Sequence, residues 1–133
     1  MGPTTQQKKD HLILAVDDEQ MMVEMVSTYI DQSFNNVSVV TATSPKGAIQ
    51  RINQDQKFGC IISDFWMGER DGIDLYHEVA PECPNTEFIL FTSARRKKFE
   101  ERLEQTEISK VVRKQNGGFD RLIDSVESIF DKR

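Results

Sequence analysis

The sequence predicts an α/β fold: five βα units forming a doubly wound, five-stranded parallel sheet with helices on both faces. Two observations predict it. Short apolar runs recur along the chain, each bounded by polar or turn residues. Between them lie segments whose apolar residues follow helical spacing. Strands that alternate with helices need crossover connections, and those give a parallel sheet covered on both sides.

Each element has its own signal. Residues 1–10 (MGPTTQQKKD) are polar and are expected to form a flexible N-terminal arm. Residues 12–16 (LILAV) read as a buried strand. A helix over 19–34 places Met22, Val26, Tyr29 and Ile30 on one face. Residues 37–42 (VSVVTA) are rich in β-branched side chains and read as a strand. Ser44-Pro45 opens the next helix, with serine as N-cap and proline in the first helical position. Residues 58–63 (FGCIIS) form the third strand, and Asp71-Gly72 starts a helix bearing Ile73, Tyr76, Val79 and Ala80 before Pro84 breaks it. Residues 88–91 (FILF) are the fourth strand, followed by a charged helix over 95–106 with Phe99 and Leu103 as its apolar pair. Residues 108–113 are the fifth strand, and Gly117-Gly118 precede a last helix with Phe119, Leu122, Ile123, Val126, Ile129 and Phe130 on one face. One domain over residues 11–131 accounts for these elements.

Composition narrows the function. The chain has 133 residues and a net charge of −5, which argues against direct nucleic-acid binding. Cys60 and Cys83 lack disulfide-framework or zinc spacing. No apolar run is long enough for a membrane span, and residues 1–10 lack a signal-peptide core. A cytoplasmic protein, a monomer or weak dimer, with no membrane association is expected. If the Met1-Gly2-Pro3 start is an expression scar, residues 1–133 are expected to be cut from a longer protein.

In an open parallel sheet, ligands bind beyond the carboxyl ends of the strands. Those ends carry Asp17-Asp18-Glu19, Asp64, Thr92-Ser93 and Lys114. In the flavodoxin-like order 2-1-3-4-5 they converge on one rim. Three close carboxylates need counter-charge. One ammonium and one divalent cation balance them, and an oxygen-only donor set suits Mg2+. A carboxylate can also attack phosphorus to give an aspartyl-phosphate, with cations and a hydroxyl stabilising the transferred group.

These residues resemble the response-regulator receiver domains of two-component signal transduction, including the chemotaxis type. Four motifs carry the resemblance: Val16-Asp17-Asp18-Glu19; Ser63-Asp64-Phe65-Trp66-Met67 with Asp71-Gly72; Phe91-Thr92-Ser93-Ala94; and Val111-Val112-Arg113-Lys114. The resemblance implies that Asp64 is the phospho-acceptor. It implies that Asp17, Asp18, Asp64 and the Trp66 backbone carbonyl hold Mg2+. Thr92 and Lys114 would contact the phosphoryl group. The implied donor is a sensor histidine kinase or phosphotransfer protein. The output would act through an unknown downstream protein, or an output domain outside these residues, by way of the face built from helix 4, strand 5 and helix 5. Such a protein is a switch that catalyses only its own phosphorylation and dephosphorylation. An Asp-nucleophile phosphohydrolase fits poorly, because its D-x-D motif is absent after the first strand.

Three positions depart from the family pattern. Gln115 stands where proline usually follows the lysine; a cis bond there would cost roughly 2.5–4 kcal/mol, so a trans bond and a shifted loop are expected. Gly68 replaces the usual proline after Met67 and should loosen that loop. Val111 occupies the place of the switch aromatic, so the usual threonine–aromatic relay is unavailable. These departures keep a phosphorylation-independent pseudo-receiver as the alternative.

Other residues have plainer readings. Trp66 is a loop aromatic that would also shield an acyl-phosphate from water. Arg95-Arg96-Lys97-Lys98 reads as a solvated face or a surface for an acidic partner. His11, His77, Cys60 and Cys83 are assigned no chemistry.

Overall fold

A computed structural model of the chain describes residues 10–54 and 57–130. The order is β1 (His11–Val16), α1 (Gln20–Ser33), β2 (Val37–Ala42), α2 (Pro45–Ile52), β3 (Cys60–Ser63), α3 (Gly72–Val79), β4 (Glu87–Thr92), α4 (Glu100–Leu103), β5 (Lys110–Arg113) and α5 (Gly118–Phe130). The strands pair in parallel in the order β2-β1-β3-β4-β5. This is the expected fold and strand order. Of the expected arm over 1–10, all but Asp10 lies outside the described residues, as does the domain's expected last residue, Asp131. Among the described residues, no helix is long and apolar enough to cross a membrane.

Strand side chains alternate between two cores, as a period of two requires. Leu14, Val16, Ile61 and Leu90 face α2, α3 and α4, where they meet Ala48, Ile73, Leu75 and Phe99. Ile13, Ala15, Ile62, Ile89 and Phe91 face α1 and α5, meeting Val23, Val26, Ile30, Leu122 and Val126. Tyr29 was expected on the apolar face of α1 but is 39% exposed, and its ring stacks on Phe119 at 4.5 Å. Val23 fills the inward position instead.

The start signals act as read. Ser44 Oγ accepts the Gly47 N–H at 2.9 Å, with Pro45 in the first turn. Asp71 caps α3 by accepting the N–H groups of Ile73 and Asp74, while the Asp74 carboxylate accepts the Asp71 N–H. Gly72 lies so close to the sheet that a Cβ would sit 2.4 Å from the Asp64 carbonyl oxygen.

The charged helix expected over 95–106 is cut short. A 3₁₀ turn covers Arg96–Lys98, and α4 is one turn, Glu100–Leu103. Four consecutive cations oppose the dipole at a helix start, and no side chain caps α4. Phe99 separates the two turns at φ −138°, ψ 10°. Thr106 closes the segment by donating its hydroxyl to the Leu103 carbonyl at 2.7 Å. The apolar pair still points inward: Phe99 is buried and Leu103 half-buried.

Replacing Gly72 with alanine forces backbone apart beneath Asp64. Gly72→Ala should therefore cost about 2 kcal/mol or more in urea unfolding, and a loss near zero would show that the approach is not tight.

Candidate functional site

The sheet register assembles the site. Val16 pairs with Ser63, Ser63 with Leu90, and Thr92 with Arg113. The ladder then runs one residue further: the Asp64 N–H donates to Val16 O at 3.0 Å and the Lys114 N–H to Thr92 O at 3.0 Å. Asp17 and Asp64 thus leave neighbouring strands side by side, with Thr92 and Lys114 at the adjoining strand ends.

The Lys114 ammonium reaches both acids, donating to Asp17 Oδ2 at 2.7 Å and lying 3.3 Å from Asp64 Oδ2. The nearer partner is Asp17. Carboxylate oxygens of Asp17, Asp18 and Asp64 all lie within 4.8 Å of one another. Asp17 is buried, Asp64 nearly so, and Asp18 exposed. Asp17 Oδ1 accepts the Glu19 N–H at 3.0 Å, tying the acid to the start of α1. Asp64 Oδ1 accepts the Phe65 N–H at 2.7 Å, leaving Oδ2 towards Lys114.

Burial pushes the Asp17 carboxyl above the ordinary aspartate value, although the Lys114 hydrogen bond pulls it down. Burial lowers Lys114, but the hydrogen bond to Asp17 and the charges of Asp64 and Asp17 outweigh it and raise its pKa. The ammonium therefore stays charged in a cluster that still carries more negative than positive charge. An oxygen-only donor set with surplus negative charge fits Mg2+.

Thr92 is fully buried, and its Oγ1 accepts the Ala94 N–H at 3.1 Å. Trp66 is 53% exposed, with its ring edge-on to Phe65 at 4.8 Å. Gly68 sits at φ +83°, a conformation closed to proline, whose φ is fixed near −65°. Among the described residues there is no cis peptide, so Lys114–Gln115 is trans as expected. The loop turns through Asn116 (φ 56°) and Gly117 (φ 83°). Arg121 fastens it by donating to the carbonyls of Arg113, Gln115 and Asn116.

Two features escaped the sequence reading. One is this Arg121 clasp. The other is Arg102, which forks onto Asp71 at 2.6 and 3.1 Å and reaches Asp74 at 2.9 Å. The Asp71-x-x-Asp74 cap was readable, but nothing marked its cationic partner. Arg95, Arg96, Lys97 and Lys98 are all exposed. A groove of about 650 Å³ lined by Tyr76, His77, Pro84 and Phe88 opens at the other end of the sheet and holds none of the site residues.

The family model for the response regulator receiver domain matches residues 13–127. The chain belongs to this family. A receiver domain is a signalling module rather than a classical enzyme, and the acidic cluster of Asp17, Asp18 and Asp64 is typical of a receiver Mg2+ and phospho-acceptor site. Among curated relatives, the receiver is 32% identical over 81 residues to response regulator SaeR of Staphylococcus aureus. That match covers 61% of this chain and 34% of SaeR, so the chain spans about a third of that relative's length. Solved structures confirm the fold. A response regulator receiver domain protein from Clostridium thermocellum superposes with a TM-score of 0.79 at 17% identity, covering 92% of this chain and 95% of that one. Chemotaxis response regulator CheY4 of Vibrio cholerae gives 0.76 at 21% identity, covering 90% and 98%. TrrA of Thermotoga maritima, solved in complex with Mg(2+)-BeF, gives 0.76 at 20% identity, covering 90% and 98%.

The Asp71–Arg102 pair sets an acid response. Burial raises the Asp71 pKa, but Arg102 and the N–H groups of Asp74 and Ile73 outweigh it, and the net shift is downward. A depressed acid contributes stability above its unfolded pKa of about 3.9 and loses it as pH falls through the lower, folded value. The stability gap between the receiver and its Arg102→Gln variant should be full above about pH 5 and should narrow as pH falls below about 4. Urea unfolding across that range measures it; a gap independent of pH would exclude the ion pair as its source.

Proposed function

We propose that this receiver is a phospho-accepting switch. Asp64 is the acceptor, and the donor is the phospho-histidine of a sensor histidine kinase or phosphotransfer protein. The observation that carries this reading is the Lys114 ammonium held between Asp17 and Asp64 beside a third carboxylate, Asp18.

The chemistry follows from the residues. Asp64 Oδ1 is occupied by the Phe65 N–H, so Oδ2 attacks phosphorus. The new O–P bond forms as the P–N bond to the donor imidazole breaks, and that nitrogen keeps the electron pair and takes a proton. Lys114 neutralises charge on a phosphoryl oxygen once it is released from Asp64. The Thr92 hydroxyl, which accepts from Ala94 N–H, keeps its own hydrogen to donate to a second oxygen. Asp17, Asp18, Asp64 and the Trp66 backbone carbonyl are the residues that would hold Mg2+. When bound, that ion supplies positive charge that offsets the carboxylates and the incoming phosphoryl group. Trp66, exposed beside the acceptor, shields the acyl-phosphate from water.

Phosphorylation adds a dianion that is satisfied only if Thr92 and Lys114 turn towards it. That preference shifts the population of the segment after β4, and with it the face of α4, β5 and α5 that meets a partner. The output is carried by a separate protein or by an output domain beyond these residues. The segment matched in SaeR is about a third of that protein's length.

A small acyl-phosphate with Mg2+ should add one phosphoryl mass to the wild type and none to Asp64→Asn. No adduct on either protein would leave a phosphorylation-independent interaction module. In the phosphorylated protein, Trp66→Asn should lose the phosphoryl group several-fold faster; an unchanged decay rate would remove the shielding role.

A further inference from the structure

Arg102 stands in the single turn of α4 yet makes its polar contacts with α3. Its guanidinium forks onto both carboxylate oxygens of Asp71 and reaches Asp74, the two members of the α3 capping box. The residue after Asp71 is Gly72, whose N–H donates to the Phe65 carbonyl at 2.9 Å and which leaves no room for a Cβ beside the Asp64 carbonyl. Arg102 also lies 6.0 Å over the Phe65 ring, and Phe99 packs on the same ring at 4.8 Å. Two short routes, one ionic and one aromatic, therefore join α4 to the backbone that carries Asp64.

We propose that Arg102 is a positioning residue for the phospho-acceptor: by clamping Asp71 and Asp74 it fixes the start of α3 and, through Gly72 and Phe65, the Asp64 backbone, so that α4 and the acceptor segment move together. This rests on Asp64 being the acceptor. A forked guanidinium–carboxylate pair fixes orientation as well as distance, which a lysine's point charge does not. A partly exposed ion pair adds only modest stability, and the larger effect of this pair lies in placement. The linkage also gives the receiver a route from Asp64 to α4 that needs no aromatic side chain at Val111.

The test compares Arg102→Gln, Arg102→Lys and Tyr76→Phe for their rate of phosphoryl-adduct formation from a small acyl-phosphate with Mg2+. Tyr76→Phe is the structural control, because the Tyr76 hydroxyl ties α3 to the segment after α4 by accepting the Glu107 N–H at 2.9 Å. Arg102→Gln should slow adduct formation about tenfold, as small misplacement of a reacting group does. Arg102→Lys should recover only a minor part, and Tyr76→Phe should stay within about twofold of wild type. An unchanged Arg102→Gln rate, full recovery in Arg102→Lys, or an equal loss in Tyr76→Phe would each overturn the clamp. A wild type that forms no adduct would instead remove the acceptor reading on which the clamp rests.

Discussion

One ammonium held between two buried acids organises the end of this sheet. Lys114 bridges Asp17 and Asp64, and it does so because β1, β3, β4 and β5 end in register. Remove the ammonium and three carboxylates face one another with only backbone N–H groups on Asp17 and Asp64 to offset them. Even with it, burial leaves the Asp17 carboxyl raised. An acid whose folded pKa is raised weakens the fold at neutral pH. Three carboxylates against one ammonium leave an imbalance that a bound cation would offset.

The surroundings hold this charge in place with backbone rather than bulk. Gly72 lets α3 start directly against the Asp64 carbonyl. Gly118 does the same for α5 against the Arg113 carbonyl, where a Cβ would sit at 2.3 Å. Gly68 and Gly117 turn the two loops through positive φ. Where proline is absent after Lys114, Arg121 gathers three carbonyls and fixes the turn instead. α4 is the opposite case: a one-turn helix with an uncapped, cationic approach, anchored by Phe99 and Arg102. Of the elements around the site, it has the least internal support, which suits a segment that shifts between states.

Much of this was legible in the sequence because it depends on local rules. The strands announced themselves as apolar runs, the caps at Ser44 and Asp71 as short polar signals, and the site as polar residues just past strand ends. The candidate site residues Asp17, Asp18, Asp64 and Lys114 come together, with Thr92 at the adjoining strand end, because a parallel sheet fixes where those ends lie. What was not legible depends on contacts between distant segments. The length of α4 was overestimated because Phe99 and Leu103 keep helical spacing while the cations before them disfavour a helix start. Nothing in the sequence marks Arg102 or Arg121, since their partners lie on other elements or on backbone carbonyls. Tyr29 fitted the helical stripe but lies at its edge, where Phe119 rather than the core receives it.

Whether the acidic cluster takes up a cation is the most direct test. Thermal unfolding should be followed with and without millimolar Mg2+ for the wild type and for Asp17→Asn. If surplus negative charge defines the site, Mg2+ raises the wild-type midpoint, and Asp17→Asn loses most of that rise. A wild-type midpoint indifferent to Mg2+, or an equal rise in Asp17→Asn, would contradict it.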